Sequence, residues 1–124
     1  MTKKIKAPGK LKSLIIDRRR WLRGCGTGVL QDESGMRCCL GFASLKLGAK
    51  EKDIIGKDLP ENLDSAFIRR CRTNNSWLIS LAENHVIIFR ATHINDDISI
   101  SDSEREVSLK EIFASRGCKL IFRN

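Results

Sequence analysis

The residues best suited to chemistry in this sequence lie between positions 17 and 42, which read DRRRWLRGCGTGVLQDESGMRCCLGF. Arginines on both sides of a tryptophan are followed directly by three glycines at alternate positions, Gly24, Gly26 and Gly28. Alternate glycines let a loop turn several main-chain N–H groups toward one ligand, and guanidinium groups bind phosphate oxygens through paired hydrogen bonds. The segment therefore predicts an anion site, although its spacing matches neither the GxGxxG dinucleotide pattern nor a Walker A loop. A flexible connector is the alternative interpretation of the glycines.

The candidate ligand-binding set extends from this loop to further arginines. One follows the glycines, and a second basic cluster lies at the predicted C-terminal end of a helix over residues 64–72. Arginines at that end of a helix also suit the helix dipole, so an exposed helix terminus is the alternative for this cluster. Trp21 or Trp77 is the expected stacking surface for a base. The predicted ligand-binding residues are Arg18, Arg19, Trp21, Arg23, Gly24, Gly26, Thr27, Gly28, Arg37, Arg69 and Arg70.

Catalytic and metal chemistry have weaker support in the sequence. The five cysteines include no CxxC pair, and neighbours on a helix such as Cys38 and Cys39 point about 100° apart. We therefore expect buried, reduced thiols and predict no metal, no cofactor and no catalytic residue. An enzyme would have to combine a carboxylate cluster with a thiol from inside an apolar helix, where thiols are usually inert. That cluster would be Asp96, Asp97 and Glu104.

The net charge of +8 is concentrated at the N-terminus. Residues 1–25 contain nine Lys or Arg and one acid, whereas the other 99 residues contain equal numbers of basic and acidic groups. A local positive field attracts nucleotides, nucleic acid or an acidic protein face. We interpret residues 1–10 as a flexible basic N-terminus and residues 11–124 as one domain. Apolar runs are too short for a membrane span or a signal peptide, so we expect a cytoplasmic protein without a membrane partner.

Hydrophobic patterning predicts an α+β fold for this domain. Residues 11–16 and 118–122 have the patterns of strands, and we expect them to pair in a short mixed or antiparallel sheet. Four to five helices would pack against that sheet. One of them, over residues 38–47, is apolar on nearly every side and should be the central core helix, ending at Gly48.

Capping residues predict the start of two further helical segments, whereas periodicity leaves one segment open between strand and helix. Asp17 is expected to cap one or two helical turns over residues 18–23. Ser101 and Glu104 have the spacing of a capping box, which predicts the start of the last helix. Residues 86–94 fit either a strand, from their β-branched side chains, or a helix that is packed on two faces.

Two patches of the sequence resemble a known group of proteins. The first is WLRG at positions 21–24 followed by MRCCLGF at 36–42, and the second is INDD at 94–97 followed by RE at 105–106, IF at 112–113 and a closing strand. Together they resemble a widespread group of small proteins encoded by bacteriophages and prophages. The resemblance spans most of the chain from Leu14 onward and carries no catalytic residues with it. It implies a phage gene product that acts in the cytoplasm of a bacterial host cell, as a counter-defence factor.

Three hypotheses for function follow from these observations. The first is a counter-defence binding protein that sequesters an anionic nucleotide-type immune signal without catalysis; a homo-oligomer is expected, because a small chain offers little depth for a pocket. The second is an anti-CRISPR-like inhibitor whose basic face binds a host defence protein or, without sequence specificity, nucleic acid. The third is a small enzyme that acts on a phosphorylated substrate.

Overall fold

The two ends of the domain form its sheet. The computed structural model describes residues 11–26, 28–73 and 82–124. Within these ranges, β1 (Ser13–Asp17) and β2 (Lys119–Arg123) make a two-stranded parallel sheet in which Ile15 lies beside Ile121. The pairing of the terminal strands is confirmed, but the expected mixed or antiparallel arrangement is wrong. The strands run in the same direction because the chain crosses the domain through its helices before it enters β2.

Helices supply most of the described chain, which confirms the α+β fold. They are α1 (Cys39–Lys46), α2 (Glu51–Ile54), α3 (Ser65–Thr73), α4 (Ala82–Asp96) and α5 (Asp102–Ala114), together with single 3₁₀ turns at Arg18–Arg20 and Pro60–Asn62. The ambiguous residues 86–94 are helical. A helix brings Ile88, Ala91 and Asn95 onto one buried face, whereas an alternating strand would separate them.

The apolar segment over residues 38–47 forms the central helix, as predicted. Cys39, Leu40 and Ala43 are buried in α1, and the helix contacts β1, α2 and α4. Gly41 lies so close to the main chain of Leu30 that a Cβ would overlap its carbonyl oxygen. The glycine is therefore required by the close approach of two backbones rather than by a turn.

The predicted caps are present, with one difference in the element that follows. The Ser101 side chain accepts a hydrogen bond from the main-chain N–H of Glu104 at 3.1 Å, and the Glu104 carboxylate accepts one from that of Ser101. The Asp17 carboxylate accepts a bond from the Arg19 N–H at 2.9 Å. It caps a single 3₁₀ turn, however, because Trp21 is already extended and bridges to Arg37. None of the helices formed by the described residues is both long and apolar enough to cross a membrane.

Candidate functional site

The side chain of Asn95 joins the sequence patches that were singled out above. Its oxygen accepts hydrogen bonds from the indole N–H of Trp21 at 2.8 Å and from the main-chain N–H of Cys39 at 3.1 Å. Its amide donates to the carbonyl of Leu22 at 2.9 Å and to the Asp96 carboxylate at 3.0 Å. Asn95 is 0% exposed. The WLRG, MRCCLGF and INDD segments therefore meet at one buried amide, which fixes the C-terminal end of α4 against α1.

Arg105 secures the same end of α4 from the other side. This arginine is 3% exposed, and its guanidinium donates to four main-chain carbonyls, those of Ile94, Asn95, Asp97 and Ile100, at 2.7 to 3.1 Å. The last carbonyls of a helix lack partners within the helix, so a cation with several donors suits them. The RE segment thus has a structural role in holding the turn between α4 and α5.

Two of the predicted ligand-binding arginines form ion pairs with α5. Arg18 makes a bidentate pair with Glu106, with both N–O distances 2.8 Å. Arg23 bonds to the Asp102 carboxylate at 3.2 Å and lies over the Trp21 ring, 4.7 Å from its centroid. The hydrogen bonds from the arginines lower the pKa of both Glu106 and Asp102. These pairs attach the basic segment to α5 and neutralise part of its charge.

The other predicted arginines have different surroundings. Arg19 is exposed and bonds to Asp17, whereas Arg37 donates to the buried Gln31 side chain at 2.6 Å and lies 3.6 Å from Glu51. Arg69 is exposed in α3. Arg70 also lies in α3, but its side chain, like Thr27 and Trp77, is outside the described residues. The predicted arginines whose bonds are described therefore contact carboxylate or amide groups of the protein, and their binding of a ligand stays a prediction.

Trp21 is a core residue in this fold. It is 1% exposed, and its ring packs 4.8 Å from that of Phe122. Its only polar group is bonded to Asn95. In this conformation the buried ring of Trp21 presents almost no surface to a base, and its place in the ligand-binding set stays a prediction.

The glycine loop is docked onto the C-terminal end of α4. The N–H groups of Gly24 and Gly26 donate to the carbonyls of Asn95 and Asp96 at 2.8 and 3.0 Å. A Cβ at Gly28 would lie 2.7 Å from the Asp96 carboxylate. The first two amides therefore satisfy protein carbonyls instead of forming an open anion nest, and the third glycine leaves room for a carboxylate.

A cavity of about 500 Å³ opens beside this loop. Its apolar wall contains Leu59, Phe89 and Ile98, of which Phe89 is 60% exposed and Ile98 76% exposed. The remaining lining residues are glycines or polar, namely Gly26, Gly28, Asp58, Thr92, His93, Asp96 and Asp97. The cavity thus joins exposed apolar surface to three carboxylates, and among its described lining residues only the two glycines come from the predicted ligand-binding set.

Asp96 is a half-buried acid of this cavity. Burial raises the pKa of its carboxyl group, and the hydrogen bond from Asn95 and the nearby charges of Arg105 and His93 act against that shift. One carboxylate oxygen accepts the Asn95 bond, whereas Oδ2 lies against Gly28 and accepts no hydrogen bond from a residue in the described ranges. Asp97 differs, because bonds from Ser99 lower its pKa. Among the described residues, Oδ2 of Asp96 is therefore an acceptor without a donor, in a partly desolvated place.

The buried cysteines are unsuited to nucleophilic chemistry. Burial raises the pKa of Cys38 to about 12 and that of Cys39 well above its usual value. Burial also raises the pKa of Cys118 to about 11. Thiols of this kind remain protonated at neutral pH and behave as small apolar side chains. In the described ranges, no group of three or more His, Cys, Asp and Glu side chains is arranged to hold a metal ion.

Sequence reasoning missed most of the cavity lining. The sequence placed Asp96 and Asp97 only in a carboxylate cluster for an enzyme, and it did not indicate Phe89 or Thr92 as site residues. A helical assignment of residues 86–94 would have found them, because positions 89, 92, 93 and 96 share one face of a helix. No protein-family model, curated protein or solved structure matches this chain.

Proposed function

We propose that this protein is a non-catalytic binding protein that takes a nucleotide with its base in the Asp96 cavity. The observation that carries the proposal is Oδ2 of Asp96, which accepts no hydrogen bond from the described residues and lies at the edge of a cavity with an exposed aromatic wall. An ionised carboxylate only accepts hydrogen bonds, so the inserted part of the ligand must present N–H donors. Because three carboxylates line the cavity, phosphate groups are expected to stay outside it.

A guanine base meets these requirements best. Its N1–H and N2 amino group are adjacent donors, and together they match the acceptor geometry of one carboxylate. The planar base would lie against Phe89, since aromatic side chains stack on bases. Lys57 and Arg90 are exposed and adjoin the lining residues Asp58 and Phe89 in the chain, and we expect them to meet the phosphates of a bound nucleotide.

The biological role proposed for such binding is sequestration. The buried thiols and the ion-paired arginines give no support for a reaction, and the resemblance to phage proteins suggests a counter-defence role. A protein of this kind would lower the free concentration of a nucleotide immune signal in an infected bacterium. The proposed site is the cavity at Asp96, where the base is recognised, and not the arginine segment, where the sequence predicted recognition of the phosphates.

Calorimetric titration with matched ligands tests this proposal. GMP is expected to bind about tenfold more tightly than IMP, which lacks the 2-amino donor. AMP and inorganic phosphate should not bind at the cavity, and spermidine serves as a cationic ligand without an aromatic ring. Equal binding of GMP and AMP, or binding of spermidine alone, would contradict base recognition.

Asp96→Asn is the variant that separates binding from folding. We expect it to abolish GMP binding while raising the melting temperature at pH 7, because it removes a carboxylate whose charged form burial disfavours. The matched control is Asp53→Asn on α2, which should change neither property. If Asp96→Asn bound GMP as tightly as the unaltered protein, Asp96 could not be the acceptor.

A further inference from the structure

The outward face of the sheet has an apolar centre and a basic rim. Leu14, Ile16, Leu120 and Phe122 point into the core, so the intervening residues of both strands face outward. Ile15 is 48% exposed, and its register partner Ile121 is partly exposed beside it. We call this surface, with the charged residues that surround it, the basic sheet face. It lies on different residues from the Asp96 cavity.

The rim of the basic sheet face carries five cationic side chains. Lys119 and Arg123 occupy the two ends of β2, and the carbonyl of Lys12 accepts the N–H of Lys119 at 2.8 Å. Arg19 and Arg20 lie in the 3₁₀ turn that follows β1. All five side chains are exposed.

Acidic groups compensate little of this charge. Asp17, the acid at the end of β1, is paired with Arg19. Arg20 makes no side-chain hydrogen bond or ion pair with any of the described residues, although it borders the same surface hollow as Asp17 and Gly35. The sequence reasoning left Arg20 out of the predicted binding set, yet it is more available to a partner than Arg18 or Arg23. Asp17 is also the register partner of Arg123, so the rim has five basic side chains beside this one acid and its net charge is positive.

We propose that the basic sheet face docks an acidic protein surface with an apolar centre. Charge complementarity favours an acidic partner and disfavours a second copy of this chain by the same face, because five cations would then oppose five. The aliphatic centre favours a protein over nucleic acid, since single strands are held by aromatic stacking and the exposed side chains here are isoleucines. This inference does not depend on nucleotide binding at Asp96.

Fluorescence anisotropy with labelled probes tests the docking surface. The first probe is a short peptide with a Leu-Val-Leu centre between runs of glutamate, and the second has the same glutamates around a Ser-Gly-Ser centre. A short duplex DNA is the third probe. The apolar-centred peptide should bind the most tightly of the three, and its affinity should fall as salt is added.

Paired variants assign the binding to this face. Lys119→Gln with Arg123→Gln removes two charges of the rim and should lower the affinity for the apolar-centred peptide about tenfold. Lys46→Gln with Lys52→Gln removes the same charge from α1 and α2 and should leave the affinity unchanged. Ile15→Thr keeps a β-branched residue in the strand and should bring the two peptides to equal affinity. Its control is Val107→Thr on α5, which is also exposed.

Three results would overturn the proposal. The first is an absence of peptide binding at low salt by the folded protein. The second is an equal loss of peptide affinity in the Lys119/Arg123 variant and in the Lys46/Lys52 variant, which would mean that net charge alone attracts the peptide. The third is tighter binding of duplex DNA than of the apolar-centred peptide, which would assign the face to nucleic acid.

Discussion

Replacement of Asn95 by alanine should be among the most destabilising single changes in this domain. The substitution leaves the indole N–H of Trp21 and the main-chain N–H of Cys39 without an acceptor in the core. Each buried donor without a partner costs about 1–3 kcal/mol, so we expect a loss of about 4 kcal/mol. Domains of this size are stable by about 5–15 kcal/mol, and the variant would therefore lie close to unfolding. The carbonyl of Leu22 also loses its donor, but this adds less to the loss of stability, since Leu22 is partly exposed and its carbonyl can be hydrated.

Urea unfolding followed by far-ultraviolet circular dichroism measures this loss. Circular dichroism is preferred to tryptophan fluorescence because the second arm of the experiment replaces Trp21. In a Trp21→Phe background one of the two donors is gone, so Asn95→Ala should cost about 1–3 kcal/mol less there than in the unaltered protein. The control is Asn62→Ala, an exposed asparagine that contacts Asp58, with an expected change within about 0.5 kcal/mol.

The reasoning would be refuted by a loss below about 1 kcal/mol for Asn95→Ala, or by equal losses in the two backgrounds. The first result would mean that water or a side-chain shift satisfies the two donors. The second would mean that Asn95 stabilises the domain through packing and not through its bond to the indole. Either outcome would remove Asn95 as the residue that joins the three segments.

Three further predictions concern stability. Arg105→Met keeps much of the side-chain length but leaves four carbonyls without their donor, so a loss of about 3 kcal/mol or more is expected in urea unfolding. Gly41→Ala should lower the melting temperature strongly, because its Cβ would overlap the main chain of Leu30 and neither backbone can move freely. The third concerns pH. The pKa of Glu106 is lower in the folded state, so its contribution is present above the unfolded pKa and is lost as the pH falls through the folded one; Glu106→Gln should flatten the acid side of a melting-temperature profile against pH.

Local signals in the sequence determined several elements of the fold. The Ser101 capping box depends only on residues three positions apart, and the structure contains both of its hydrogen bonds. The apolar run over residues 38–47 is buried in any compact arrangement, so its role as the core helix followed from composition. The alternation in the last strand likewise placed Leu120 and Phe122 in the core.

The orientation of the sheet and the identity of the cavity required the tertiary structure. Two strands at opposite ends of a chain can pair in either direction, because alternation is the same in both. Residues 86–94 have no single apolar stripe, since α4 presents one face to the core and another to the cavity. That ambiguity concealed Phe89 and His93 as lining residues.

The arginine segment shows most directly which properties came from the sequence and which from the tertiary structure. Its sequence determined a local excess of positive charge, which is independent of conformation. Only the fold decided that Arg18 would pair with Glu106, 88 positions away, and that Arg23 would pair with Asp102, 79 positions away. Ion pairs of such separation depend on how α5 crosses the sheet, which no local pattern encodes. The sequence therefore determined that this end of the molecule is cationic, and the tertiary structure decided which of its cations remain available to a partner.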